Sequence, residues 1–124
     1  MNDNHDRRRF ARLDLALTVS YAVLDHAGEL ERDPLKALTA DISAGGLRLM
    51  TPTPLVTGTK LDLGIFLGED ERAIKATGEV VWQRRLAPTS FETGVEINGI
   101  DEKDRKRFME FIFDQVSEIV GGKI

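Results

Sequence analysis

Apolar residues recur at every second position through most of this 124-residue chain, and this period constrains the fold more than any other feature. The first run begins at Leu13 and continues to Val23, with polar residues such as Asp14 and Ser20 between the apolar ones. Because side chains of a β-strand point alternately to opposite faces, a period of two predicts a strand with one buried face.

Five further runs have the same period and are separated by segments rich in glycine, proline and acidic residues. The predicted strands cover residues 13–23, 35–42, 47–50, 61–67, 74–82 and 91–97. The apolar face of the fifth strand includes Val80 and Trp82, and residues 86–90 form a loop after it. Gly45 and Gly46 allow a positive φ, so a tight reversal or a bulge is expected between the second and third strands. Short strands at this spacing predict an all-β barrel or sandwich.

The period changes to three and four after Asp101, which predicts an amphipathic helix over residues 102–120. Asp101 is a suitable N-cap, and the glycines at 121 and 122 end the helix. A wide apolar stripe follows its length, formed by Phe108, Met109, Ile112, Phe113, Val116, Ile119 and Val120. The pattern leaves open whether this stripe packs on its own barrel or on a second copy, so the protein is expected to be a monomer or a homodimer.

Composition excludes several classes of protein. The chain has no cysteine, which excludes disulfides and thiolate catalysis. His5 and His26 lack the spacing of metal ligands, and no nucleophile motif or phosphate-binding loop is present, so neither an enzyme, a metal site nor a cofactor is expected. No apolar run approaches the roughly 20 residues that span a bilayer. The sequence therefore predicts a soluble, cytoplasmic protein without membrane insertion.

Positive charge is concentrated at the start of a chain whose formal net charge is −4. Residues 1–12 contain four arginines and two aspartates, which leaves −6 on the remaining 112 residues. An acidic body disfavours the summed phosphate contacts that DNA or RNA binding requires. A small anion held by a few arginines remains possible, and a small nucleic-acid-binding barrel is the lowest of the alternatives.

Two short motifs carry most of the functional signal. The stretch "RRRFAR" contains Arg8 and Arg12 in an R-x-x-x-R spacing, and "DISAGG" contains Asp41, Ser43 and Gly46. Each motif alone has a simple structural interpretation, the arginines as a solubilising tail and the Asp and Ser as turn residues. Guanidinium groups also bind phosphate oxygens or the O6/N7 edge of guanine, and a carboxylate accepts from the guanine amino group.

With "GEVVW" at 78–82 and "GVEI" at 94–97, these motifs resemble the PilZ domain, the bacterial receptor module for cyclic di-GMP. The resemblance implies a six-stranded antiparallel β-barrel of the split-barrel type with one C-terminal helix. It also implies cyclic di-GMP as the ligand, bound by Arg8, Arg12, Asp41, Ser43 and Gly46. Further candidates for the ligand site are Arg7, Arg9, Gly45, Arg48 and Trp82.

The function that the resemblance implies is a non-catalytic second-messenger receptor. In this hypothesis a flexible arm, residues 1–12, orders over a barrel of residues 13–100 that is followed by a helix at 101–120 and a tail at 121–124. Binding would couple the nucleotide level to an unidentified protein effector of motility, biofilm formation or secretion. The alternative is a PilZ-like interaction module of a pilus or flagellar assembly that does not depend on the nucleotide.

Overall fold

Antiparallel strands close into a six-stranded barrel in the computed structural model, which describes residues 12–68 and 72–121. The elements are β1 (Thr18–Val23), β2 (Leu35–Ile42), β3 (Gly46–Thr51), β4 (Lys60–Ile65), β5 (Ile74–Ala87), β6 (Ser90–Ile100) and the helix α1 (Glu102–Gly121). Around the barrel the strands follow the order β1-β2-β3-β6-β5-β4. The closed barrel confirms the predicted fold.

Alternate side chains of each strand fill the barrel interior. On β3, for example, Leu47 and Leu49 are buried, and β4 contributes Leu61, Leu63 and Ile65. Burying one such side chain is worth about 1.5–3 kcal/mol relative to leaving it in water. The period of two in the sequence therefore reports the inward face of the barrel directly.

The first strand begins at Thr18, later than the period of two predicts, because a side chain replaces part of its ladder. Leu17 donates its N–H to the Thr39 hydroxyl oxygen at 2.9 Å, and that hydroxyl donates to the carbonyl of Leu15. Leu13 is nevertheless buried and forms an isolated bridge with Ile42. This bridge fixes the backbone directly after Arg12 beside the end of β2.

A β-bulge in β5 overturns the prediction that Val80 and Trp82 share one face. The pairing of β5 with β6 shifts by one residue between these two positions, and such a shift reverses the alternation of side chains. Val80 is fully buried, whereas Trp82 faces outward and is 39% exposed. The strand continues to Ala87, so the predicted loop at 86–90 contracts to a turn at Pro88 and Thr89.

Helix α1 packs on its own barrel through only part of its apolar stripe. Phe108 and Ile112 are buried and belong to the barrel core, which answers the question of where the helix packs. Met109 and Phe113 are exposed, so the prediction of one wide packed stripe is wrong for these two residues. The stripe of side chains that contacts the barrel is therefore narrower than the apolar stripe in the sequence.

A fully buried carboxylate attaches the start of α1 to the barrel. Asp104 accepts the backbone N–H of Lys75 at 2.9 Å and the Arg72 guanidinium at 2.6 Å. The hydrogen bond from Lys75 and the contact with Arg72 lower the pKa of Asp104 from 3.8 to about 2. The first turn of the helix is therefore tied to β5 by a charged group that stays ionised in ordinary buffers.

Candidate ligand-binding site

A row of outward-facing positions crosses four neighbouring strands of the barrel. Asp41 on β2 pairs with Arg48 on β3, and Arg48 pairs with Gly94 on β6. Gly94 in turn pairs with Trp82 on β5. Barrel closure thus places side by side residues that are far apart in the sequence, and all but Gly94 were predicted site residues.

Asp41 binds two arginines, one with each carboxylate oxygen. Its Oδ1 accepts from Nη1 of Arg12 at 2.9 Å, and its Oδ2 accepts from Nε of Arg48 at 2.9 Å. The Asp41 side chain is only 5% exposed, whereas about a third of each guanidinium-bearing side chain reaches the solvent. The hydrogen bond to Asp41 raises the pKa of Arg48. A buried acceptor therefore holds two arginines at the surface.

The cluster extends to two residues that the sequence analysis did not select. Glu92 on β6 accepts from Nη1 of Arg48 at 2.6 Å and from Nη2 of Arg84 at 2.6 Å, and its side chain is 9% exposed. We call the alternating set Arg12, Asp41, Arg48, Glu92 and Arg84 the arginine strip. The period of two predicts that Glu92 points outward, because the preceding Phe91 points inward. The sequence alone does not show which strand lies beside β6.

Trp82 lies flat against the outer surface of the sheet, and Gly94 makes this possible. A Cβ atom at position 94 would lie 2.3 Å from Cε2 and Nε1 of the indole, so any other residue would push the ring away. The partly exposed indole therefore occupies the place of the missing side chain, next to the position of Arg48. This arrangement provides an aromatic surface of the kind on which nucleobases stack.

The turn between β2 and β3 is shaped by the remaining residues of the second motif. The Ser43 N–H donates to the Gly46 carbonyl at 2.8 Å, and the Gly45 N–H donates to the Ser43 hydroxyl at 3.3 Å. The predicted reversal at Gly45 and Gly46 is present, but it forms without a positive φ, since the described positive-φ glycines are Gly28 and Gly58. Gly46 is required for another reason: a Cβ there would lie 2.6 Å from the carbonyl oxygen of Val95.

Three of the predicted site residues, Arg7, Arg8 and Arg9, lie outside the described residues. Within residues 12–68 and 72–121, no group of His, Asp and Glu has the arrangement of a metal site. None of the helical structure described is long and apolar enough to cross a membrane. The described part of the predicted site thus consists of Arg12, of Asp41, Arg48 and Trp82 on the strands, and of Ser43, Gly45 and Gly46 at the turn.

The structure is that of a small closed β-barrel domain with a charged strip and an aromatic side chain on its outer face. A comparison with protein-family models matches the PilZ domain over residues 6–114. The chain therefore belongs to the PilZ domain family, as its motifs predicted. A search of curated protein sequences found no match to the chain.

Solved structures share the fold at low sequence identity. The PilZ domain of Escherichia coli YcgR with c-di-GMP is 13% identical, with a TM-score of 0.63 over 95% of this chain and 99% of that one. Bacillus subtilis MotI/DgrA, an inhibitor of motility, is 22% identical, with a TM-score of 0.66 over 88% of this chain and 50% of that one. The K. pneumonia MrkH–c-di-GMP complex is 20% identical, with a TM-score of 0.66 over 94% and 55%. The chain spans about half the length of MotI/DgrA and MrkH.

Proposed function

We propose that this protein is a cyclic di-GMP receptor whose site is the face that carries Arg12, Asp41, Arg48 and Trp82. The observation that carries the proposal is the Asp41 carboxylate, which is buried between two exposed guanidiniums beside an open indole. Membership of the PilZ family and the c-di-GMP named for YcgR and MrkH give it further support.

The chemistry of the ligand matches this set of groups. Cyclic di-GMP has two phosphodiester anions and two guanines. Arginine forks bind phosphate oxygens or the O6/N7 edge of guanine in pairs, and a carboxylate accepts from the guanine amino group. The indole of Trp82 offers a stacking surface for a base, a contact worth about 1–3 kcal/mol. Asp41 already holds Arg12, so the ligand would exchange or extend an existing ion pair.

The remaining motif residues complete the proposed site. Arg8 belongs to the same motif as Arg12, and Arg7 and Arg9 flank it in sequence. Ser43, Gly45 and Gly46 form the turn that ends at the strand of Arg48. We propose that binding brings residues 1–11 onto the barrel, with a loss of chain entropy that lowers the net affinity. Amide exchange in this segment would then slow when the nucleotide is added.

Isothermal titration tests the receptor function. Wild-type protein should bind cyclic di-GMP, and Arg8→Ala, Arg12→Ala and Asp41→Ala should each weaken binding at least tenfold, which is about 1.4 kcal/mol. Cyclic di-AMP is the control ligand, because adenine lacks the O6 acceptor and the N2 amino group. A stoichiometry of two nucleotides per chain would support a role for Arg7. The proposal would be overturned if high cyclic di-GMP produced no heat of binding and no shift in melting temperature.

The output of such a receptor is a separate question. MotI/DgrA is an inhibitor of motility, and MrkH is a c-di-GMP-dependent transcription regulatory factor. Proteins that share this fold therefore have different outputs. We propose that this chain transmits binding to a protein effector. The alternative remains a PilZ interaction module that acts without the nucleotide, and the titration described above separates the two.

A further inference from the structure

Arg84 lies outside both motifs, yet it ends the arginine strip. We propose that Arg84 is a further ligand-binding residue, which contacts a phosphate oxygen of the dinucleotide bound at this face. The inference rests on the proposed receptor function, and its test is designed so that the two can fail separately.

The bulge in β5 brings Arg84 to the ligand face. Trp82 and Arg84 are two residues apart on β5, after the bulge that turns this part of the strand over, so both project outward. Their neighbour Gln83 points the other way and donates to the buried Thr93 hydroxyl at 2.8 Å. The phosphate of a nucleotide whose base stacks on the indole would therefore lie near the Arg84 guanidinium.

Arg84 is held firmly and still presents donors to the solvent. Its Nη2 donates to Oε1 of Glu92 at 2.6 Å, while 66% of its side chain is exposed. A guanidinium has five N–H donors, and this bond uses only one edge of the group. Since Glu92 binds Arg48 with its other oxygen, one buried carboxylate fixes the positions of two exposed guanidiniums. Such fixed forks lose little freedom when an anion binds.

The charge balance of the strip favours the binding of an anion. Arg12 and Arg48 are neutralised by Asp41 and Glu92, to which they are bonded. Arg84 is the third arginine of the strip, and it leaves the five residues with one net positive charge. The ligand carries two negative charges on a protein that is itself at −4. Arg84, which has the most exposed side chain of the three arginines, therefore contributes to the positive charge that the strip offers to an anion.

The neighbouring arginine provides a matched control. Arg85 lies one position further along β5, over the ring of Phe91 at 5.9 Å, and donates to the carbonyl of Ala87. Arg84→Ala and Arg85→Ala remove the same charge from adjacent positions, but only the first changes the arginine strip. Arg84→Ala also leaves Glu92 bonded to Arg48, so no buried carboxylate loses all its partners.

Titration with cyclic di-GMP, after thermal melting has shown that each variant is folded, tests the assignment. Arg84→Ala should weaken binding about tenfold or more, Arg84→Lys should lie between it and wild type, and Arg85→Ala should stay within twofold. Added NaCl should weaken binding less in Arg84→Ala than in wild type, because one screened charge contact is gone. If wild type binds and Arg84→Ala matches Arg85→Ala, the assignment is wrong. If wild type itself does not bind, the receptor function has failed.

Discussion

Arg48 lies opposite Asp41 on the neighbouring strand, and its Nε donates to Asp41 Oδ2 at 2.9 Å. The same guanidinium donates through Nη1 to Glu92 at 2.6 Å. A single arginine therefore joins two carboxylates that are almost completely buried and binds β2 to β6 through β3. Removing it would leave each carboxylate with a single described guanidinium partner, Arg12 or Arg84.

We expect Arg48→Ala to destabilise the fold as well as the proposed site. Each of the two carboxylates loses a charged hydrogen bond that is worth about 1.5–3 kcal/mol, so the free energy of unfolding should fall by about 3–6 kcal/mol. Urea unfolding followed by circular dichroism measures the change. Arg84→Ala is the comparison, because it removes one charged bond and should cost clearly less. Equal unfolding midpoints for Arg48→Ala and wild type would contradict this account.

Gly94→Ala should displace the indole of Trp82, because the new Cβ would lie 2.3 Å from two ring atoms. Trp82 is the single tryptophan of the chain, so its fluorescence reports the change directly. The emission should shift to longer wavelength, and binding of cyclic di-GMP should weaken by about tenfold as the stacking surface is lost.

Gly64→Ala is the control for this variant. A Cβ at position 64 would have ordinary contacts with Ala73 and Ser20, at 3.5 and 3.6 Å, so emission and binding should be unchanged. The role assigned to Gly94 would be refuted by identical tryptophan spectra for Gly94→Ala and wild type.

The low pKa of Asp104 predicts an acid-sensitive component of stability. The pKa of this carboxyl group is about 2 in the folded protein, whereas its ordinary value, which applies to the unfolded chain, is 3.8. Its contribution to stability is therefore present above pH 4 and is lost as the pH falls from about 4 to about 2. Asp104→Asn should be less stable than wild type at pH 7, and this difference should shrink at pH 3. Urea midpoints at both values test the prediction, which a constant difference would contradict.

Truncation of two phenylalanines of α1 should lower the stability of the protein by very different amounts. Phe108 is fully buried in the barrel core, whereas Phe113 is 69% exposed. Phe108→Ala should cost about 3–5 kcal/mol, and Phe113→Ala should stay within about 0.5 kcal/mol. Chemical denaturation of the two variants provides the measurement, and each serves as the control for the other. A large loss in Phe113→Ala would mean that this side chain is covered in solution, for example by a second copy.

The sequence predicts the strands well where one physical cause dominates. Burial of one face produces the period of two, so the predicted runs 47–50 and 61–67 coincide with β3 and β4 to within two residues. Prediction fails where a local irregularity interrupts the alternation of inward and outward side chains along a strand. The bulge after Val80 reverses the direction of Trp82, and the Thr39 hydroxyl replaces the ladder before Thr18.

Only part of the candidate site can be predicted from the sequence, because its other residues depend on which strands are neighbours in the barrel. Asp41 belongs to the second motif, and Arg48 is found in the outward register of the strand that follows it. Arg84 and Glu92 pair across the β5–β6 hairpin, and their connection to Arg48 depends on β3 lying next to β6. No local pattern specifies that neighbour, so these two residues emerge from the structure alone.

Two of the ion pairs of the arginine strip join residues that are distant along the chain. Arg12 and Asp41 are 29 residues apart, and Arg48 and Glu92 are 44 apart. Contacts of this kind make folding slow, because long loops must close before any of them forms. The strip therefore cannot assemble on a nascent or partly unfolded chain. A ligand that binds it would select molecules whose barrel is already closed, and would slow their unfolding and proteolysis in proportion to its concentration.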